Sequence, residues 1–464
     1  MAATLLLVDM IPNSLSGESE QDSEPMLAVN PNNPQQLVGT AFTPNPMGPA
    51  STLAPVFVST DGGNTWTLNA IVPGGDITFD ITVAFGPKSS NLYAGILRMD
   101  GPPDDTQLNI LRAKNFQSPA PMQVLVDRIG PDQPFVQAAL GGSGAAAKDR
   151  VYVGDNLPQS TVDYSLNAAA ATATSGFKQA FVESRPNAGQ NGPQVRTACH
   201  PGGVTYVAFY GWRNQSGSWT GNTLIVTADV VVVRDDSGGA GANPFRDLVD
   251  PSDGLPGRLV AKGVKFPFRR NGKASEGQQR LGGDLTIAVN PLDSAVVYLG
   301  FTGKVGSKLT LHVRRSTDSG QTWSADLLTV PFGINPSLAV NDLGDPALLY
   351  QQLTGTGASA KWVTHFRQAT AGTPSTWSDL VLSSHPASKP AKAFDPYLGD
   401  YAYLTSHGHG YYGIFSASNE PDLTHFPNGV TYQRKHNFTT KTLTNLAGAT
   451  VPTSIDPFFF KVTP

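Results

Sequence analysis

A short pattern of polar and hydrophobic positions returns along the whole chain. Its clearest copy, residues 282–291, reads Gly-Gly-Asp-Leu-Thr-Ile-Ala-Val-Asn-Pro: a polar lead-in, five residues that can pair in a sheet, and an Asn-Pro turn starter. The other copies begin at Glu24, Asp80, Gln194 and Asn335, with looser copies at Gln133 and Asp395. Repeats of ~40–50 residues that carry several short strands are typical of propeller blades, because one blade cannot bury its faces alone. The pattern therefore predicts a closed ring of β-sheets.

Three further strand-like runs follow the opening strand of a repeat. In the first repeat they are residues 36–42, 55–59 and 65–72. Four strands per repeat predict an all-β fold, a seven-bladed β-propeller with four-stranded antiparallel blades; a six-bladed ring is the alternative. We expect residues 4–10 or 458–462 to complete the last sheet and close the ring.

The repeats run nearly from end to end, so we interpret residues 1–464 as a single propeller domain. Its blades are expected to start near residues 24, 80, 133, 194, 284, 335 and 395. The longest interval, after residue 194, contains an insertion loop at about residues 241–279. This polar segment carries several arginines, and it is either a solvated loop or a lid over one face.

The amino-acid composition restricts the kinds of partner and the location that the protein can have. Glycine (48) and proline (37) are frequent and only 15% of residues are charged, which suits short strands and tight turns. A net charge of −4 without a basic stripe argues against nucleic acid, and the chain has no apolar run long enough to span a membrane. The first residues lack the basic region of a signal peptide, although a mature form could begin in this way. We expect an extracellular or periplasmic location, with the cytoplasm as the alternative.

Two Ser-x-Asp-x-Gly-x-Thr-Trp motifs lie at nearly the same offset within their repeats. One includes Asp61 and Trp66, and the other includes Asp318 and Trp323. On these residues the chain resembles the sialidase-like, Asp-box (BNR repeat) β-propeller superfamily, over about residues 24–435. The resemblance is a good guide to the fold and a poor guide to the activity. It also implies that the motifs brace turns on the face opposite the ligand site, so we expect them to be structural.

The resemblance to true sialidases is incomplete. Those enzymes bind the substrate carboxylate with three arginines and carry Phe-Arg-Ile-Pro, or a close variant, ahead of the first Asp-box. This chain has no arginine before Arg98, so that motif is missing. Sialidases also use an Asp acid/base and a Tyr nucleophile paired with a Glu. By its last-blade position Tyr397 is the corresponding candidate here, and a buried or channel-lining tyrosine is the alternative.

The starts of the repeats predict a ring of oxygen-bearing side chains around the central channel. The first strands of all blades start at one face of a propeller, and the second strands end there. The catalytic candidates are the four acids of this ring and one tyrosine: Glu24, Asp80, Asp284, Asp395 and Tyr397. The substrate-binding candidates on the same face are Arg98, Trp212, Arg213 and Arg280.

The crowded acids allow three kinds of chemistry. Mutual repulsion raises at least one pKa and so supplies a general acid near neutrality. Alternatively, Asp80, Asp284 and Asp395 hold a hard cation such as Ca²⁺; no motif requires any other cofactor. In the third case the acids cap strand starts and pair with arginines, and their role at the opening of the channel is structural only.

The leading interpretation is a glycoside hydrolase-like enzyme that acts on an acidic or neutral glycan at a central polar pocket. A non-catalytic lectin or protein-interaction propeller is the alternative, and a polysaccharide lyase is the second alternative. One deep charged central pocket favours an enzyme, whereas repeated Trp-lined pockets between blades favour a lectin.

Overall fold

A computed structural model describes residues 4–43, 54–74, 78–99, 106–130, 132–156, 159–188, 194–270, 273–277, 279–394 and 397–463. These residues form an all-β structure without an α-helix. The five short 3₁₀ turns are Asn13–Leu15, Gly144–Ala146, Ala168–Ala170, Ala274–Glu276 and Gly357–Ser359. In this part of the chain, no helix has the length and hydropathy that crossing a membrane requires.

Six sheets contain four antiparallel strands that follow one another in sequence order, and each forms one blade. Blade 1 consists of Ser23–Val29, Leu37–Phe42, Val56–Ser59 and Thr67–Leu68. Blade 2 consists of Thr78–Phe85, Leu92–Met99, Thr106–Ala113 and Gln123–Ile129. Blade 3 consists of Phe135–Gly141, Lys148–Asp155, Thr161–Ser165 and Lys178–Phe181. Blade 4 consists of Val195–Cys199, Thr205–Ser216, Ile225–Asp235 and Arg258–Pro267. Blade 5 consists of Leu285–Asn290, Asp293–Val305, Lys308–Ser316 and Leu328–Pro331. Blade 6 consists of Gly333–Val340, Pro346–Thr354, Lys361–Thr370 and Thr373–Pro386.

Blade 7 closes the ring with both ends of the chain. Its strands from the axis outward are Tyr403–His407, Gly410–Ser418, Ile455–Thr463 and Thr4–Asp9, with Thr431–Tyr432 parallel at the outer edge. Two small sheets lie outside the blades: Arg269–Arg270 pairs with Arg280–Leu281, and Thr442–Thr444 pairs with Lys435–Asn437 on one side and Thr450–Val451 on the other. The predicted seven-bladed propeller with four-stranded antiparallel blades is thereby confirmed, and the six-bladed alternative is wrong.

The ends of the chain are joined by a buried ionic cluster. Arg434, whose side chain is fully buried, contacts Asp456 and lies 3.7 Å from Asp9, measured from Nη2 to Oδ2. Asp456 belongs to the C-terminal strand and Asp9 ends the N-terminal strand. Burial and the neighbouring Asp456 raise the pKa of Asp9 well above its ordinary value. One guanidinium therefore holds the two closing strands together by charge.

Hydroxyl groups on the innermost strands join neighbouring blades. In three places a Thr or Ser oxygen accepts a backbone N–H from the innermost strand of the next blade. These bonds run from Val136 N to Thr82 Oγ1 (3.0 Å), from Leu338 N to Thr286 Oγ1 (2.9 Å) and from Leu404 N to Ser337 Oγ (2.8 Å). These hydrogen bonds fix the positions of neighbouring innermost strands relative to one another around the channel.

Two sequence expectations need correction. The segment at about 241–279 is not one loop, because Arg258–Pro267 is the fourth strand of blade 4. The innermost strand of blade 7, Tyr403–His407, begins later than the predicted start near residue 395. The Asp-Pro pair at 395–396 resembles a repeat start, but the chain uses the following residues to cross the axis before it enters the blade.

The Ser-x-Asp-x-Gly-x-Thr-Trp turn of blade 1 is closed by its own side chains. Asp61 accepts hydrogen bonds from Ser59 Oγ (2.8 Å), Thr65 N (2.9 Å) and Thr65 Oγ1 (2.6 Å). Gly63 N donates to Ser59 Oγ, and Trp66 Nε1 donates to the Gly63 carbonyl. The turn of blade 5 repeats all five bonds around Asp318 and Trp323.

Gly63 lets this turn pack against the last blade. Its φ is +93°, a region that favours glycine, and a Cβ there would lie 2.1 Å from the Phe459 ring. Phe459 also packs on Trp66, with ring centroids 5.3 Å apart. The strand register puts the turn at the face where the innermost strands end, because Val29 is opposite Leu37, and Leu37 is opposite Ser59. We call this the turn face, and the other the start face.

We expect Asp61→Ala to lower the free energy of unfolding by about 1–3 kcal/mol, because Ser59 and Thr65 lose their acceptor. Asp318→Ala, in the matching turn, should behave alike. Urea unfolding measures both, and the affinity of the folded protein for any ligand should be unchanged. Loss of affinity without loss of stability would contradict a bracing role.

Candidate functional site

Three of the four predicted acids converge at the start face. Glu24, Asp80 and Asp284 lie where the innermost strands of blades 1, 2 and 5 begin, and they are 4%, 6% and 6% exposed. Glu24 and Asp80 interact directly, because Asp80 contributes to raising the pKa of Glu24. Asp395, the fourth acid, lies outside the described residues.

The backbone is strained at three of the strand starts. Glu24, Gln133 and Asn335 have φ values of +52°, +52° and +50°, in the left-handed region that non-glycine residues avoid. Irregular strand pairing accompanies this conformation in blades 1 and 6. Each such residue costs about 1–3 kcal/mol, and strain of this kind concentrates at functional sites and ligand clamps. Strained backbone therefore recurs at equivalent positions of three blades.

Residues 398–400, which we call the axial segment, cross the start face at the channel. Its backbone is held by side chains of three repeat starts and of Gln279, and a fourth repeat start, Gln133, holds the side chain of Asp400. Gln194 Nε2 donates to Asp400 O (2.8 Å), Asn335 Nδ2 to Gly399 O (3.1 Å) and Gln279 Nε2 to Gly399 O (2.6 Å). Asp400 N donates to Glu24 Oε1 (3.3 Å), and Gln133 Nε2 donates to Asp400 Oδ2 (2.8 Å). Much of the predicted ring therefore binds this segment of the chain.

Arg280 connects the axial segment to the acids. Its guanidinium pairs with Asp400, with Nε 2.7 Å from Oδ1, and its Nη2 lies 3.8 Å from Glu24 Oε1. Its side chain is still 22% exposed. Arg280 therefore neutralises part of the cluster and keeps a face toward solvent.

The cluster favours protonated carboxyl groups. Burial, with a contribution from Asp80, raises the pKa of Glu24 well above its usual range and raises that of Asp132 to about 6. Burial also raises the pKa of Asp284 to about 6, although Asn335 N and Thr302 Oγ1 donate to it. At least one acid is therefore available as a proton donor near neutrality.

Asp284 gives the protein a stability that falls as pH rises. A folded-state pKa of about 6 against an ordinary 3.8 means that the folded state binds the proton more tightly. The stabilisation is complete below pH 3.8 and is lost as pH rises through 6.

Asp284→Asn removes this titration. We therefore expect the free energy of unfolding of the variant, relative to that of the wild type, to rise by roughly 2 kcal/mol when the pH is raised from about 4 to 8. Urea unfolding at both pH values measures it, with Asp293→Asn on the surface of blade 5 as control; equal pH dependence of Asp284→Asn and wild type would contradict it.

Other candidates from the sequence lie away from the acids. Arg98 Nη1 donates to Asn109 Oδ1 (2.7 Å) on the next strand outward, and Arg213 pairs with Glu183 and Asp229. Trp212 is 2% exposed and packs in the core. Of the three candidate arginines, Arg280 is the one for which the structure describes a contact with the acid cluster.

Tyr397 is placed as a core residue. It is fully buried, and its hydroxyl donates to the Pro390 carbonyl (2.7 Å). Burial raises its pKa, which disfavours the phenolate that a nucleophile needs. Tyr401 is the tyrosine that interacts with Asp80 and Glu24. The sequence pattern placed Tyr397 beside the acids because it put the start of the last blade near residue 395; its burial agrees with the alternative of a buried tyrosine.

An aromatic surface borders Arg280 on the start face. Trp219, in the loop after Thr205–Ser216, is 48% exposed, and its ring lies 5.1 Å from that of Phe268. The Arg280 guanidinium lies 5.8 Å from the Trp219 ring and 5.9 Å from Phe268. Asp132 is half-buried, and the Arg280 guanidinium lowers its pKa against the larger, raising effect of burial. No motif in the sequence pointed to Trp219, since its loop meets Arg280 only through the fold.

Two groups of side chains within the described ranges could hold a metal ion. Ligand atoms lie within 4.8 Å of one another in Glu420, Asp422 and His425, and in Glu18, Asp22 and Asp456. The first group is neutralised by Lys441 and the second by Arg434. Neither group contains Asp80 or Asp284, so Ca²⁺ at the predicted acids stays a prediction.

No family model and no curated protein matches this chain. Solved structures resemble it at low identity. They include the α-L-arabinofuranosidase Arb93A from Fusarium graminearum with an iminosugar inhibitor (10% identity, TM-score 0.41, 98% of this chain and 97% of that chain). The Penicillium chrysogenum α-L-arabinanase with arabinobiose has 11% identity and a TM-score of 0.43, and the match covers 98% of each chain. A PL25 ulvan lyase bound to its glucuronate–rhamnose sulfate has 9% identity and a TM-score of 0.48, over 86% of this chain and 92% of that chain. These likenesses assign no function to this chain.

Proposed function

We propose that this protein is a carbohydrate-active, glycoside hydrolase-like propeller that acts on an acidic glycan at the start face. The observation that carries the proposal is the group formed by exposed Trp219 and by partly exposed Arg280 and Asp132 beside the buried acids. Membership of the Asp-box propellers is part of the proposal, supported by the two turns with the same five hydrogen bonds.

Each of these side chains has a role that its chemistry supports. The Trp219 ring offers an apolar platform for the C–H face of a sugar ring, and Phe268 supports it from behind. Arg280 offers a guanidinium to a carboxylate or sulfate group on the glycan. Its position beside the aromatic pair would bring such a group next to the acids.

Asp132 is the proposed general acid. Its raised pKa, about 6, lets it give a proton to the leaving glycosidic oxygen near neutrality. Asp80 is the proposed base or nucleophile, because its Oδ1 is buried and has no hydrogen-bond partner among the residues the structure describes. Glu24 and Asp284 are proposed to set the charge around this pair. Hydrolysis then adds water across the bond, and Asp132 recovers its proton from that water.

A panel of acidic and neutral polysaccharides tests the reaction class. We expect new reducing ends without unsaturated products, which is the result of hydrolysis. Unsaturated uronate products would favour a lyase, and saturable binding without turnover would favour a lectin; either result would contradict the hydrolase assignment. No binding to any glycan would contradict the proposal as a whole.

We expect little or no release of sialic acid from simple aryl sialosides. The chain has no arginine before Arg98, and of its three candidate arginines Arg280 is the one for which the structure describes a contact with the acids. A fluorogenic sialoside measures the rate, with a sialidase as positive control. Robust turnover would show that the substrate arginines are wrongly assigned.

A further inference from the structure

The central channel contains a second polar site that the proposed function does not use. A cavity of about 270 Å³ lies in the channel on the turn-face side of the acids. Its lining extends from Arg196 and Tyr401 to Pro201 and Pro291, where the innermost strands end. The axial segment covers the opposite end of the channel. The cavity and the glycan site are therefore on different sides of the acid cluster.

Arg196 is a buried cation that lines this cavity. It is 5% exposed, and its Nη2 has no hydrogen-bond partner among the residues that the structure describes. The guanidinium carbon lies 4.0 Å from the Phe135 ring and 5.6 Å from the Tyr401 ring. Burying a charge is costly unless hydrogen-bonded groups compensate it.

We propose that this cavity binds the carboxylate of a small organic acid, held by the guanidinium of Arg196. A buried nitrogen of this group lacks a partner, and a guanidinium offers a fork of N–H donors to the two oxygens of a carboxylate. Burial lowers the pKa of Arg196 to about 10, so the side chain is charged at neutral pH.

The surrounding charges select the kind of anion. Asp80, Asp284 and Glu24 act electrostatically on Arg196 from the start-face side. They repel a doubly charged phosphate more than a singly charged carboxylate. The aromatic rings under the guanidinium and the limited volume favour a small, partly apolar acid.

Ligand-observed saturation-transfer NMR tests the proposal with acetate and lactate as probes. Acetamide and lactamide are neutral probes of the same shape, and inorganic phosphate is a competitor, all at constant ionic strength. We expect saturable signals from a carboxylate, weaker signals from its amide and little displacement by phosphate. Equal binding of acid and amide, or stronger binding of phosphate, would overturn the assignment.

Variants locate the site. Arg196→Met should weaken carboxylate binding by about tenfold or more, the loss expected for a charge-assisted hydrogen bond, and Arg196→Lys, which keeps the charge but loses the planar fork, should weaken it less. Arg315→Met is the matched control, because Arg315 also lies over a tyrosine ring, 5.6 Å from Tyr298, but is on the third strand of blade 5. If Arg196→Met does not fold, Arg196→Lys decides. Unchanged binding in the variant that folds would overturn the proposal, as would absence of binding to the wild type.

Discussion

Replacing Arg434 with methionine should lower the free energy of unfolding by about 3–5 kcal/mol at neutral pH, the largest stability loss that we expect from one substitution. Its guanidinium is fully buried, contacts Asp456, and donates from Nη1 to the Glu18 carbonyl (2.9 Å). Methionine has a similar length and no charge, so Asp456 and Asp9 would remain buried without their cation. Because these acids lie on the two closing strands, opening of blade 7 should follow.

Two controls separate charge from packing. Arg434→Met with Asp456→Asn removes both partners, so we expect it to recover part of the stability. The loss should also grow at alkaline pH, since burial raises the pKa of Asp9 well above its ordinary value and raises that of Glu18 to about 8, so these acids ionise as pH rises and then need the cation. Urea unfolding measures each variant. A loss below about 1 kcal/mol for Arg434→Met at neutral pH would contradict the role of this ion pair in closure.

The ring of blades was predictable from the sequence because each strand and each turn is indicated by residues that are close together in the chain. The alternation around Leu285–Asn290 and its copies marks an innermost strand, and the Asn-Pro and Gly-rich turns mark where strands end. The placement of Glu24 and Asp80 followed from the same register, since equivalent positions in a closed ring meet at the axis. Where the pattern misled, as with the repeat start expected near residue 395, the sequence had the composition of a strand start although the innermost strand begins at Tyr403.

The parts that the sequence could not supply depend on distant contacts. Trp219 meets Arg280 only through the fold, and the two lie in different blade connections. Arg434 and Asp9 come from opposite ends of the chain. The axial segment has no periodic pattern, because its backbone is held by the side chains of other blades. The spacing of residues along the sequence does not indicate any of these contacts.

Asp132→Asn should reduce turnover of the glycan substrate by about 10²–10⁴-fold, the usual contribution of a positioned general acid. The amide keeps the shape and removes the proton, so glycan binding should persist. Trp219→Ala is the matching variant for binding and should weaken affinity more than it lowers the maximal rate. The pH profile of the wild type should lose activity as pH rises through about 6, where Asp132 ionises. Full activity of Asp132→Asn would exclude this residue as the acid.

The most direct measurement of the central claim is a crystal structure of Asp132→Asn with the glycan that the panel identifies. The account predicts a sugar ring on Trp219, an acidic group at Arg280 and a glycosidic oxygen beside residue 132, all on the start face. A glycan bound between blades, or in the cavity that contains Arg196, would contradict the proposed site.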